Sequence, residues 1–272
     1  MKRIALVGAL VLFIGATALA QRGGYLPVTD AANPRYDGRF MFMRLKYTVA
    51  PGGYYYNGLP AWAHGQPFAE ENMMKIMDAV SLLKPHIEEG VVMGLDNPEM
   101  FKFPIGFMTE AGFWVMSDEE GLALRAYLQK GGFLIFDDFR EGRAGNGGWD
   151  NFVYNMGRVI PGAEFLPMDV NHPIFHAFFE INSFDVIPQA YDGGRGRGGR
   201  GGRGGGGGVS TPPEFYGLFE DNDPTKRMLA IVNYNTDVSQ FWEFSGRGLY
   251  IVDDSNQAYK LGANYFIYGL TH

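Results

Sequence analysis

Asp137 and Asp138 stand side by side where an uninterrupted apolar run, FLIFDD over residues 133–138, comes to its end. Adjacent carboxylates can share a proton, hold a hard cation or cap a turn. Other groups that could join them are Thr109 and Glu110, which close the apolar run FPIGFMTE, and His172 in HPIF with Asp169 shortly before it. An oxygen-rich cluster of this kind suits Mg²⁺ or Ca²⁺. Successive side chains on a strand face opposite ways, so one aspartate can aim into a given pocket while its neighbour holds the next turn, unless the strand has already ended. The reading adopted is a structural or ligand-orienting role for these residues, with no catalytic residue, metal or cofactor assigned.

Other chemistry is scarce. The chain has no cysteine, which removes thiolate nucleophiles and thiolate metal sites. No Gly-x-Ser-x-Gly elbow occurs either, so nucleophilic acyl transfer has no obvious agent. His172 and His176 have the spacing of a helical metal pair, but Pro173 would place His172 at a helix cap, and no HExxH pattern accompanies them. A long loop, TVAPGGYYYNGLPAWAHGQP, carries Tyr54, Tyr55, Tyr56 and Trp62, aromatics that could stack on a flat or sugar-like ligand or cover a sheet edge. Trp242 and Glu243 invite the same carbohydrate reading, although tryptophan beside a strand usually belongs to a core.

The elements that must position these groups alternate. RFMFMRLKY reads as a first strand, and the apolar spacing after it predicts a helix over about 69–86. VVMGL is a short buried strand, SDEE from Ser117 is a capping box, and the helix it starts stops at Gly131. FLIFDD follows as a strand covered on both faces. Downstream come a helix in GGWDNFVYNMGRVIPG, a strand in AEFLPM, a helix start at HPIFHAFF, strands at EFYGLF, RMLAIVNYN and FWEF, and a terminal helix. Strand–helix alternation predicts an α/β fold with a three-layer, mostly parallel wound sheet, in which ligands sit beyond the carboxyl ends of the strands.

Residues 1–20 read as a signal peptide: Lys2 and Arg3 precede an uncharged run, Ile4 to Ala20, that ends in Ala18-Leu19-Ala20. A tail over 21–39 and one α/β domain over 40–272 follow. Export to the periplasm or the extracellular space is expected, with no transmembrane helix after cleavage. The chain has 23 basic and 30 acidic residues, and Lys2 and Arg3 leave with the leader. An acidic body disfavours nucleic acid as a partner. The exception is the Gly/Arg run over 193–208, which cannot form a core and reads as a disordered loop inserted within the fold.

Together, RLKY at Arg44 to Tyr47, the isolated Trp62, FKFPIGFMT, SDEEGLALRAYLQKGGFLIFDDF, HPIF, FYGLF, the Trp242-Glu243 pair and LGANYFIYGL make the chain resemble a bacterial family, the domain of unknown function DUF4159, over about 40–270. The resemblance implies a class I glutamine amidotransferase-like, flavodoxin-like fold and no known activity. The chain departs from the family pattern after FMT, where Gly-His is common and Glu110, Ala111 and Gly112 stand instead. The expected function is a non-catalytic exported module that binds a small molecule, a carbohydrate or an envelope protein through Asp137, Asp138, Glu110, Thr109, His172 and Trp62. The alternative is a metal-assisted or acid–base hydrolase acting on a glycan or another envelope substrate.

Overall fold

The central strands are near-continuous apolar runs and the helices carry apolar residues every third or fourth position, and the chain resolves this pattern into three layers. A computed structural model describes residues 33–53, 55–56, 58–140, 148–190 and 212–272. The expected leader, part of the tail, Tyr54 and the Gly/Arg run lie outside them.

The strands are β1 (Met43–Lys46), β2 (Thr48–Val49), β3 (Tyr55–Tyr56), β4 (Leu59–Pro60), β5 (Val91–Gly94), β6 (Ile105–Thr109), β7 (Trp114–Val115), β8 (Phe133–Phe139), β9 (Phe165–Pro167), β10 (Glu214–Phe219) and β11 (Met228–Tyr234). The helices are α1 (Phe68–Val80), α2 (Asp118–Gln129), α3 (Trp149–Val159), α4 (Ser239–Glu243) and α5 (Val252–Thr271). Seven strands form the central sheet in the order β5-β1-β6-β8-β11-β10-β9. The first five are parallel to their neighbours, while β10 and β9 add an antiparallel edge.

Phe107, Ile135 and Ile231 face one core with α1 and α5, whereas Met108, Phe136 and Val232 face the other with α2 and α3. β8 is buried along its whole length, as a strand covered on both sides must be. The capping box forms as expected: the Glu120 amide donates to Ser117 Oγ and the Ser117 amide donates to the Glu120 carboxylate.

Three elements differ from expectation. α1 ends at Val80, because Ser81 is extended, Lys84 has a left-handed φ of 51° and Pro85 cannot continue a helix. FWEF is not a strand but the helix α4, with Phe241, Trp242 and Glu243 all buried. HPIFHAFF makes only a 3₁₀ turn, Pro173–Phe175. Beyond that turn, the side chain of Asn264 on α5 takes over the backbone groups a helix would have satisfied. Its Oδ1 accepts from the amides of Phe178 (3.0 Å) and Phe179 (2.7 Å), and its Nδ2 donates to the carbonyls of Phe175 and Phe179, both at 2.8 Å.

Asn264 is fully buried. Replacing it with alanine strips a bond from all four groups, of which the Phe175 carbonyl keeps the Ile181 amide at 3.2 Å, and should cost on the order of 3 kcal/mol of unfolding free energy in urea titrations. A loss below about 1 kcal/mol would show that water satisfies these groups equally well.

Candidate functional site

The end of β8 carries a register defect that decides where the two aspartates point. Val232 on β11 pairs with Phe136 and Tyr234 pairs with Phe139, so two steps on β11 answer three on β8. Asp137 and Asp138 therefore stand opposite Asn233 as a β-bulge, and Asp138 adopts a left-handed φ of 59°. Bulges re-aim side chains in this way, and aspartate tolerates the left-handed region better than most residues. Phe139 consequently returns to the same core as Phe136.

Asp137 keeps the strand's alternation and is fully buried as a clamp. Its Oδ1 accepts from Asn233 Nδ2 (3.0 Å) and the Val238 amide (3.2 Å), and its Oδ2 accepts from the Ser239 amide (2.8 Å). Asn233 Oδ1 in turn accepts from the Tyr265 hydroxyl of α5 at 2.8 Å. Burial and the neighbouring Asp138 push the Asp137 carboxyl up to about 6, against the pull of Asn233 and the two amides.

Asp138 instead meets His64. Its Oδ2 lies 2.7 Å from His64 Nδ1, and Thr109 Oγ1 donates to the same oxygen at 3.4 Å. Asp237, which follows β11, accepts through Oδ1 from Ser239 Oγ (3.1 Å) and the Gln240 amide (2.8 Å). His64, Asp138 and Asp237 each offer a ligand atom within 4.8 Å of the others. Both aspartates are buried, and His64 is the group of the three that reaches solvent.

Glu110 adds a fourth side chain from the β6 end, its Oε1 4.0 Å from His64 Nδ1. It sits at a left-handed φ of 53° between β6 and a 3₁₀ turn, Ala111–Phe113. Its turn is held from the residue after β1, where the Tyr47 hydroxyl donates toward the carbonyls of Glu110 (2.6 Å) and Thr109 (3.0 Å).

Electrostatically this is a crowded site. Burial works against a charged His64, but the charge and hydrogen bond of Asp138, with Asp237 and Glu110 beyond, raise its pKa from 6.5 to about 10. Burial and then Asp138 raise Glu110 well above the usual carboxylate range, and His64 only partly offsets them. Asp237 is raised in the same way, by burial and then Asp138. The His64 imidazolium, with the charge of Arg140 acting on Glu110, thus faces several carboxylates, which protons or a further cation would balance.

The expected site residues divide. Asp138, Glu110 and Thr109 come together, with Asp137 directly behind them. Trp62 is close along the chain, but its ring is buried in the core and its contribution is a backbone carbonyl that accepts from Arg44. Tyr55 is exposed. His172 lies elsewhere: its Nδ1 accepts from the Ile174 amide, and its ring packs on Phe219 and Tyr268. Tyr268 also packs on Phe133, at the opposite end of β8 and roughly 16 Å of strand from Asp138. His176 binds Glu180 and the Val170 carbonyl, and Asp169 caps its own turn through Asn171. Trp242 is core, its indole donating to the Ala258 carbonyl.

His64 and Asp237 are the residues the sequence reading did not single out. Asp237 repeats the signal of Asp138, a carboxylate just past a long apolar strand, here RMLAIVNYNTD. His64 carries no such signal beyond its place in the aromatic loop.

The model of a family described as a domain of unknown function, DUF4159, matches residues 41–270. No curated protein matches the chain.

Because the folded state holds the His64 proton more tightly than the unfolded chain, the contribution of this pair is complete below about pH 6.5 and is lost as pH rises toward 10. In chelator-treated protein, the stability gap between the natural sequence and His64→Gln should therefore shrink across that window in urea titrations. A gap that stays constant from pH 6.5 to 10 would contradict the pairing.

Proposed function

This chain belongs to the DUF4159 family, and we propose that it is an exported ligand-binding domain whose strand-end cluster takes a divalent cation on His64, Asp138 and Asp237. The observation that carries the reading is the convergence of one imidazole and two buried carboxylates within 4.8 Å from three separate segments. Like charges buried together are costly unless a proton or a metal ion balances them. A cation bound there would displace the proton shared around His64 and satisfy Asp138 and Asp237 together. One nitrogen and two or three carboxylate oxygens suit Mn²⁺ or Zn²⁺ better than Ca²⁺, which prefers an all-oxygen shell.

Export rests on the N-terminal residues Lys2 to Ala20. No helix among the described residues is long and apolar enough to cross a membrane. The acidic balance of the chain keeps nucleic acid an improbable partner. A small molecule, a carbohydrate or an envelope protein could each meet the cation at this face.

A second reading is metal-assisted or acid–base hydrolysis of a glycan or another envelope substrate, and one observation favours it. Glu110 stands at a left-handed strand-to-helix turn, the position at which an elbow presents a reactive side chain, and burial there favours its protonated form. Turnover of a chromogenic glycoside or ester that requires the cation and is lost in Glu110→Gln would establish it. Binding without turnover keeps the first reading.

Calorimetric titration of metal-stripped protein with Mn²⁺, Zn²⁺, Mg²⁺ and Ca²⁺ should show one site, tightest for Mn²⁺ or Zn²⁺. Asp138→Asn and Asp237→Asn should each weaken it at least about tenfold. If none of the four ions produces heat or a thermal shift, the cation reading is wrong.

A further inference from the structure

Arg44 in RLKY is buried on β1, yet it is spent on neither the sheet nor the surface. Its Nε donates to Glu70 Oε1 on α1. Its Nη1 donates to the carbonyls of Trp62 (3.0 Å) and His64 (2.9 Å), and its guanidinium lies over the Phe107 ring at 5.3 Å. One side chain thus joins the central sheet, helix α1 and the backbone of the loop that delivers His64 to Asp138. We propose that Arg44 is the positioning residue of the strand-end site, fixing the 62–64 backbone so that the His64 imidazole meets Asp138. This rests on the preceding reading of the cluster only for its ligand and not for its geometry.

Stability alone is a poor reason for such a pair. Burying an arginine and a glutamate together is often no better than burying apolar residues of similar volume. Here Arg44 Nη2 and Glu70 Oε2 have no hydrogen-bond partner among the described residues, which makes the arrangement still more expensive. What a guanidinium supplies, and an apolar residue or lysine does not, is a rigid planar fork that donates to α1 on one edge and to two loop carbonyls on another. Other contacts also hold this loop: the His64 amide donates to the Ala61 carbonyl within its own turn and the Trp62 ring is seated in the core, but Arg44 is the side chain that ties the Trp62 and His64 carbonyls to β1 and α1. Without Arg44, the Trp62 and His64 carbonyls lose their tie to the central sheet and α1, and a donor misplaced by about 1 Å loses much of its interaction. Tyr47, three residues on and just past β1, grips the Glu110 turn, so one short stretch of chain steadies both solvent-facing members of the site.

Arg44→Met alone would leave Glu70 buried and unpaired, so the informative variant is Arg44→Met with Glu70→Met, compared with Glu70→Gln, which retains both Arg44 donors to the loop. The readout is the His64 imidazole Nδ1–H resonance of metal-stripped protein, followed by nitrogen-15 histidine NMR at fixed pH, with His64→Gln to assign it. The natural sequence should give a downfield proton protected from exchange by Asp138. Glu70→Gln should keep it. The double variant should unfold cooperatively yet lose that resonance, and its Mn²⁺ affinity should fall about 10–100-fold. A folded double variant that retains the protected proton overturns the proposal, as does its absence from the natural sequence. Should the natural sequence bind no Mn²⁺ while the resonance behaves as expected, the cation reading fails and the positioning role of Arg44 stands.

Discussion

The site depends on one inserted residue. Had β8 run in register to Phe139, Asp138 would have pointed into the core that holds Phe136 and Val232, where a lone carboxylate has no compensation. The bulge removes it from the ladder at a left-handed backbone angle and gives its place on that face to Phe139. Asp137, still in register, is then free to fasten the strand end to α4. Its two oxygens receive the Val238 and Ser239 amides, and Asn233 carries the connection on to α5. A single register shift thus separates two chemically identical neighbours into a clamp and a site residue.

The surroundings then have to manage the charge so exposed. β6, β8 and β11 lie side by side, and each carries an acid at or shortly beyond its carboxyl end: Glu110 after β6, Asp138 in the bulge at the end of β8 and Asp237 three residues past β11. Parallel strands place these ends on one face, which makes mutual repulsion unavoidable. His64 supplies the opposing charge from the loop ahead of α1. The same crowding that raises the carboxyl pKa values makes the position attractive to a small cation, and the choice between proton and metal gives the site its chemistry. Sheet order, bulge and loop anchor are therefore parts of one electrostatic arrangement.

Much of the architecture was legible in the residues. The uninterrupted apolar run of β8, the capping box at Ser117 and the strand–helix alternation pointed to a mostly parallel wound sheet, and the seven-stranded central sheet agrees with that reading. Local patterns served less well where tertiary contacts decide. HPIFHAFF reads as helical, but Asn264, far along the chain, satisfies its backbone instead. FWEF has strand-like composition, yet Phe241, Trp242 and Glu243 are buried on a helix that Phe244 caps. For the site, Asp138, Glu110 and Thr109 were visible because they follow apolar strands. His64 was not, because its role comes from a loop whose path is set by Arg44, and no spacing in the sequence reports that contact. His172 looked equally eligible until its strand neighbours placed it at the far end of the sheet.

His64 and Asp138 act as one unit created by the bulge. A double-mutant cycle on unfolding free energy tests it most directly, with His64→Gln, Asp138→Asn and the combined variant measured near pH 6 in the presence of a chelator. The coupling energy should exceed about 1 kcal/mol, as for groups in direct contact within one network. Single-variant effects that add to within about 0.5 kcal/mol would contradict it.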